Sequence, residues 1–372
     1  MSVSAALIDL AAISGNVAAL KQRAGDAAVM AVVKADGYGH GMLESARAAL
    51  DGGATWLGVA MADEALALRA GGFDAPTLAW LLGPDDDWQS VIAAQVDVGV
   101  YAAWALERAA GAAAANSRPT RVHLKVDTGL GRGGVLPTAW PDLVELAAKA
   151  QADGSIEVVG IWSHLAYADN PGHPTIEAQR RTFDDALDLA ARAGLHPTIR
   201  HLANSAATLR LPDTHYDLVR PGVAVYGLSP GPDVGDAREL GLTPAMTLTS
   251  RVALTKRAPA GHGVSYAHRY TTSSETTLAL VPLGYADGVP RHLTNLGEVS
   301  IKGRRYRIAG TVCMDQFVLD VGDDPVAEGD EVVLFGNGSA GEPTADEWAA
   351  AIGTINYEIV SRVGARVPRV YP

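Results

Sequence analysis

Cysteine is almost absent from this 372-residue chain, with Cys313 alone representing it. A single thiol excludes an intramolecular disulfide and any cysteine-built metal site. Basic residues are outnumbered, 30 Lys and Arg against 42 Asp and Glu, leaving a formal net charge of −12. No basic surplus exists to neutralise phosphates, so neither nucleic acid nor an anionic membrane is expected as a partner. No apolar run reaches the roughly 20 residues that a bilayer-spanning helix needs. The first residues, MSVSAALIDLAA, lack the basic segment and apolar core of a secretory signal, so a cytoplasmic location is expected. The ten histidines show no H-E-x-x-H or comparable spacing, and no metal is expected either.

What is present is a well-buried globular composition, 48% hydrophobic and 19% charged. The length exceeds one ordinary core, which implies two domains or a barrel with an appendage. Short apolar runs at 29–33, 56–60, 77–82, 97–100, 121–126, 158–162, 199–202 and 218–219 read as strands. Between several of them lie amphipathic stretches such as PDLVELAAKAQA (141–152) and TIEAQRRTFDDALDLAARAG (175–194). Strand then helix, repeated in this way, predicts an α/β fold: an N-terminal (β/α)8 barrel of the TIM type. The fourth and eighth strands are the most weakly written.

After GLSPGPDVGDAREL (227–240) the texture changes to alternating Val, Thr, Leu and Gly runs: TLTSRVALTK, TTLALVPLG, VSIKGRRYRIAG, QFVLDVG and DEVVLFG. This predicts a mostly-β C-terminal domain with one late helix at 345–352 and a final segment TINYEIVSRVG (354–364). We place the boundary at residue 240. Residues 1–240 would form the barrel, the first few being free to pack with the second domain, and 241–372 the β-rich domain.

Barrel chemistry sits at the C-terminal ends of the strands. Lys34 closes the first strand, Lys125 and Asp127 the fifth, ahead of TGLGRGG with Arg132. His164 closes the sixth, Asn204 and Ser205 the seventh, and Arg220 with Gly222 the eighth. A lone polar strand end is usually surface polarity, but polar ends on so many strands are not scattered by chance. The loops after strands seven and eight, ANSAA and RPGVAVYG, combine the Ser205 hydroxyl with bare N–H groups at Gly222 and Val223, which can hold a phosphate dianion. The glycines after Lys34 do not form a nucleotide P-loop, because there the lysine follows the glycines. A phosphate site and a buried amine in one barrel suggest pyridoxal phosphate, whose aldehyde needs a lysine Schiff base. The G-x-S-x-G match at Gly227–Gly231 is a decoy: Pro230 lacks the N–H that a nucleophile elbow uses.

Nine motifs then carry a resemblance. AVVKADGYGHG, KVDTGLGRGG, SHLAYAD, HLANSAA, VRPGVAVYGL, GVSYAH, PLGYADG, TVCMDQ and TINYE follow the order and spacing of the alanine racemases, from Ala31 to Glu358. The resemblance implies an isomerase that interconverts L- and D-alanine with pyridoxal phosphate, supplying D-alanine for peptidoglycan. It implies Lys34 as the Schiff-base lysine and one base. Tyr266 would be the second base, reaching in from the other subunit of a head-to-tail homodimer. Tyr38, Ser205, Gly222, Val223 and Tyr357 would hold the phosphate, with Asn204 nearby, Arg220 at the pyridine nitrogen and His164 beside the ring. Arg132 would meet the cofactor hydroxyl and the substrate carboxylate, and Met314 would line the substrate pocket from the partner. Asp169, Tyr285, Arg291 and Arg307 match the approach channel, Asp315 accompanies Met314, and Lys125 matches a lysine that is often carbamylated and braces Arg132. Cys313 reads as a small packed residue.

Two positions depart from the family pattern: Ala267-His268 stand where a glycine usually follows the motif tyrosine, and Tyr167 occupies a site usually small. The rivals are a related racemase of serine or of broader range, a decarboxylase of the same plan, and a non-catalytic pyridoxal phosphate binder. The last two have no use for Tyr266.

Overall fold

In the computed structural model, residues 3–372 are described; Met1 and Ser2 lie outside the described residues. Eight parallel strands follow one another around a single sheet: Ala28–Val32, Trp56–Val59, Thr77–Ala79, Asp97–Val100, Thr120–Lys125, Ile156–Trp162, Ile199–His201 and Leu218–Val219. The last pairs back onto the first through Ala28↔Leu218 and Val29↔Val219. Asp217 N–H donates to Arg200 O at 3.0 Å and Arg220 N–H to Ala203 O at 2.9 Å, joining the seventh strand to the eighth. The sheet therefore closes into a barrel.

These strands read as apolar runs because both their faces are covered. Met30, Trp56, Leu78, Val159 and Leu218 cluster together inside the barrel. Val29, Ala31 and Val33 point the other way, into the larger core shared with the surrounding helices. The helix read at 141–152 spans Trp140–Ala152, with Pro141 in its first turn where a missing N–H costs nothing. The helix read at 175–194 spans Pro174–Arg192 and buries Ile176, Gln179, Phe183, Ala186 and Ala190, one stripe at helical spacing.

Two further sheets follow. A six-stranded sheet holds Met246–Arg251 between Glu331–Phe335 and the N-terminal strand Ala5–Ile8. Arg369–Val370 pairs with the far edge of that N-terminal strand. A three-stranded sheet joins Leu254–Ala258, Thr276–Val281 and Phe317–Gly322. The run TLTSRVALTK, read as one stretch, breaks after Arg251, and its halves serve different sheets. The late helix spans Ala345–Ile352, and the TINYE segment opens a short helix, Asn356–Ser361. No helix among the described residues is long and apolar enough to cross a membrane.

Candidate active site

Past Val33 the chain makes a left-handed turn. Ala35, Asp36, Gly37 and Tyr38 have φ of 54°, 53°, 60° and 53°. A left-handed conformation costs an L-residue about 1–2 kcal/mol, so the turn must be held from outside. Glu64 does much of this: Oε1 accepts from Ala35 N–H at 2.6 Å, while Oε2 accepts from Ala60 and Met61 N–H at 2.9 and 3.0 Å. Asp36 Oδ1 accepts from Met42 N–H at 2.9 Å. His40 is fully buried, with Nδ1 3.0 Å from Gly37 O and 3.1 Å from Tyr38 O. Two carbonyls can only accept, so Nδ1 carries the hydrogen. Gly37 is needed for space as well as φ, since a Cβ there would lie 2.9 Å from Ser45 Oγ. The glycine-rich loop after Lys34 is thus the hinge that turns the lysine inward.

Lys34 lines a cavity of about 560 Å³. Burial first, then the Arg132 charge, lowers its ammonium pKa, while Glu64 opposes. Around the same cavity stand Tyr38, Lys125, Arg132, His164, Asp169, Asn204, Ser205, Arg220, Gly222, Val223 and Tyr357. At one wall, Ser205 Oγ accepts from Gly222 N–H at 2.8 Å and from Ala224 N–H at 3.3 Å. Burial pushes the Tyr38 phenol up to about 12 and raises that of Tyr357, so both keep their protons and act as donors. Asn204 caps the helix Ser205–Arg210, its Oδ1 accepting from Ala207 N–H at 3.1 Å.

Part of the lining is cationic. Lys125 is pulled down to about 8, chiefly by burial and then by Arg220 and Arg132. Arg220 is buried, and its Nη2 donates to Ser163 O at 2.8 Å and Leu202 O at 3.2 Å and lies 3.4 Å from His164 Nδ1. Burial lowers the guanidinium to about 9, still charged at neutral pH. Burial and the neighbouring cations hold His164 well below the ordinary imidazole range, hence neutral. The Trp162 ring lies 4.3 Å from Lys125 Nζ and 5.0 Å from Arg220 Cζ. Four cationic side chains around one cavity favour a polyanionic occupant.

The sequence model of the alanine racemase N-terminal domain matches residues 8–230, and that of the C-terminal domain matches 245–371. The chain belongs to the alanine racemase family. An alanine racemase of Frankia casuarinae is 67% identical over 368 residues, 99% of this chain and 96% of that one. The crystal structure of alanine racemase from D-cycloserine-producing Streptomyces lavendulae superposes with a TM-score of 0.99 at 52% identity, covering 100% of this chain and 97% of that one. The alanine racemase of Streptomyces coelicolor A3(2) gives 0.98 at 55% identity, covering 99% and 97%.

Not every residue singled out by the family pattern reaches this cavity within one chain. Tyr266, Met314, Tyr285, Arg291, Arg307 and Asp315 do not line it. Tyr266 is 73% exposed, Met314 53% and Tyr285 43%. These three belong to adjoining segments: Tyr285 N–H donates to Cys313 O at 3.0 Å, and Thr311 Oγ1 donates to Tyr266 O at 2.9 Å. Asp315 pairs with Arg366 at 2.7 Å, Arg307 approaches Glu298 at 3.8 Å, and Arg291 is exposed at the head of a short 3-10 turn. Cys313 is half-buried, with Sγ 3.2 Å from Ser265 Oγ.

The departures from the family pattern have structural consequences. Ser265, Ala267 and His268 have φ of 61°, 61° and 44°, the left-handed region in which a glycine would be unstrained. Tyr167 stacks on His173 with centroids 3.8 Å apart. The decoy Ser229 bonds to Gly231 O and Gly235 O, which is turn chemistry. The sequence analysis does not single out Glu64, an acid in the first turn of the helix Ala62–Ala70, or Asp97, His123 and His201, polar residues within predicted strands. Their signal was available: a barrel interior is usually aliphatic, so a carboxylate and two imidazoles inside strands require partners.

Proposed function

We propose that this protein racemises alanine with pyridoxal phosphate bound in the 560 Å³ cavity. The observation that carries the reading is the convergence, in a member of this family, of the Lys34 amine with a wall of donors. The donor set fits the group. The hydroxyls of Ser205, Tyr38 and Tyr357 and the amides of Gly222 and Val223 suit a phosphate, and Lys34, with its lowered pKa, suits an aldehyde. When bound, the cofactor supplies the electron sink that makes an α-proton removable.

The chain's own residues divide the remaining work. Arg220 only donates and stays charged, so a ring nitrogen opposite it is left as an acceptor without a proton. Arg132, at the cavity mouth, receives the substrate carboxylate, with Lys125 bracing it. Lys34 moves the α-proton on one face. Tyr266 of the partner subunit moves it on the other, entering with Met314 of the partner subunit in a head-to-tail homodimer. This gives a purpose to the exposed tyrosine. Because Arg220 donates toward His164 Nδ1, the imidazole hydrogen sits on Nε2, where it can donate to the phenol oxygen of Tyr266 of the partner subunit. Asp169, Tyr285, Arg291 and Arg307 border the approach, and Asp315 supports the Met314 segment. The product would be D-alanine for peptidoglycan, made in the cytoplasm.

The experiment is a racemisation assay over a panel of L-amino acids with added pyridoxal phosphate. Alanine should have the highest kcat/KM. A higher value for serine, or no racemisation of any substrate, would overturn the assignment.

A further inference from the structure

A column of buried polar side chains crosses the barrel beneath the cavity, where Met30, Trp56, Leu78, Val159 and Leu218 otherwise form an apolar interior. Asp97 opens its strand at the barrel floor. His123 Nε2 lies 3.2 Å from Asp97 Oδ2, His123 Nδ1 lies 2.9 Å from His201 Nε2, and His201 Nδ1 lies 3.1 Å from Arg220 Nη1. All four residues are buried. At the outer end, Arg121 Nε and Nη2 reach Asp97 Oδ1 and Oδ2 at 2.8 and 3.2 Å. Half-exposed Arg121 also approaches Glu157 at 3.5 Å, so the floor cluster of Asp97, Glu157 and Arg121 keeps a net negative charge.

The donor inventory fixes every hydrogen in this column. A guanidinium only donates, so His201 Nδ1 must hold a lone pair and its hydrogen sits on Nε2. That Nε2–H donates to His123 Nδ1, which places the His123 hydrogen on Nε2, where it donates to the Asp97 carboxylate. Neither ring can take a second proton without breaking a link. Burial, with Arg220 and His123, also holds His201 well below the ordinary imidazole range. The interior is cut to fit these rings. A side chain at Gly160 would occupy the His123 ring, His201 stacks on Trp162 at 5.5 Å and 3°, and His123 meets the Trp56 ring at 5.6 Å and 76°.

Among the described residues Arg220 touches no carboxylate. Its acceptors are Ser163 O, Leu202 O and the Nδ1 atoms of His201 and His164. A buried charge without a counter-charge is expensive, and the column ends on one. We propose that Asp97 is the remote counter-charge of Arg220. Acting through two neutral imidazoles aligned in one direction, Asp97 is a positioning residue that fixes the guanidinium facing the cofactor ring. The inference rests on the reading of Arg220 given above, but its first test does not.

That test is a long-range nitrogen–proton NMR spectrum of the imidazoles in histidine-labelled holoenzyme at neutral pH. His123 and His201 should both be neutral with the hydrogen on Nε2. Finding either as an imidazolium, or with its hydrogen on Nδ1, would overturn the proposal whatever the enzyme's substrate. The second test compares Asp97→Asn, which keeps an amide oxygen for His123 but removes the charge, with Arg121→Gln, which keeps the charge. A unit charge about 12 Å away at an effective dielectric of about 20 is worth about a tenfold change. Asp97→Asn should therefore lower kcat about tenfold, leave KM for alanine within about twofold, and shift the absorption of bound pyridoxal phosphate. Arg121→Gln, which removes a cation and leaves Asp97 charged, should not lower kcat and should leave KM within about twofold. A wild-type spectrum and kcat in Asp97→Asn, or an equal loss in Arg121→Gln, would show that the column is only structural support.

Discussion

Replacing Gly222 with alanine perturbs the proposed phosphate wall with a single methyl group. The φ of Gly222 is −111°, outside the left-handed region, so contact rather than backbone strain decides the outcome. The new Cβ would run into Tyr38 Oη and lie 2.9 Å from Tyr38 Cζ. Tyr38 has little room to retreat: it sits in the left-handed turn at φ 53° and packs on the Tyr226 ring with centroids 5.0 Å apart. Overpacking of this kind costs about 1–3 kcal/mol, which is about 5- to 150-fold in an equilibrium constant. Spectroscopic titration should show pyridoxal phosphate binding weakened within that range, accompanied by a lower unfolding temperature. Adding Tyr38→Ala removes the obstacle, so the double variant should unfold like Tyr38→Ala alone. Its affinity should stay low because the phenol donor is gone, and the two changes should couple in stability by about 1 kcal/mol or more. Wild-type affinity and unfolding temperature in Gly222→Ala would refute the placement of Tyr38 against the phosphate loop.

Lys125, lowered to about 8, is about one quarter neutral at pH 7.5, against about one in a thousand for an ordinary lysine. Only the neutral amine adds carbon dioxide, so labelled bicarbonate should give a carbamate carbon signal that Lys125→Ala abolishes; a signal that survives the substitution would contradict this. The linkage sign is also fixed: between about 8 and about 10.4 the unfolded chain binds the extra proton, so this residue makes stability rise with pH across that window and contributes no slope below it. Chemical unfolding over that range, in wild type and Lys125→Met, should show the steeper slope in the former. Mixing inactive Lys34→Ala and Tyr266→Phe chains and letting subunits exchange should restore about a quarter of wild-type activity, as two-fold symmetry puts both lesions in one site of each mixed dimer. No recovery with exchange confirmed would mean that each site is built within one chain.

The barrel was legible because its strands are doubly buried and its helices amphipathic. Two predicted strands, 97–100 and 218–219, match the observed ones at both ends, and the others differ by at most three residues, the largest shift being in the run 77–82, which is strand only to Ala79. Pocket residues at strand ends, such as Lys34, His164 and Arg220, were legible from their position alone. The break at Arg251 was not, because both halves of TLTSRVALTK alternate equally well and only sheet assignment separates them. Nor could the left-handed turn after Lys34 be read, since Ala35, Asp36 and Tyr38 resist that conformation and side chains such as Glu64, Asp36 and His40 help to hold it. Tyr266 could be named only through family resemblance. Its exposure in the monomer is a property of tertiary structure that no local pattern encodes.

The central claim, two bases on opposite faces, is tested most directly by hydrogen exchange in deuterated water with Tyr266→Phe. The substitution keeps the ring and removes only the proton-carrying oxygen, so substrate binding should largely survive. The variant should still exchange the α-hydrogen of D-alanine through Lys34, fail to exchange that of L-alanine, and lose racemisation in both directions. Retained exchange of L-alanine, or equal loss of both exchanges in a folded, cofactor-loaded protein, would contradict the account.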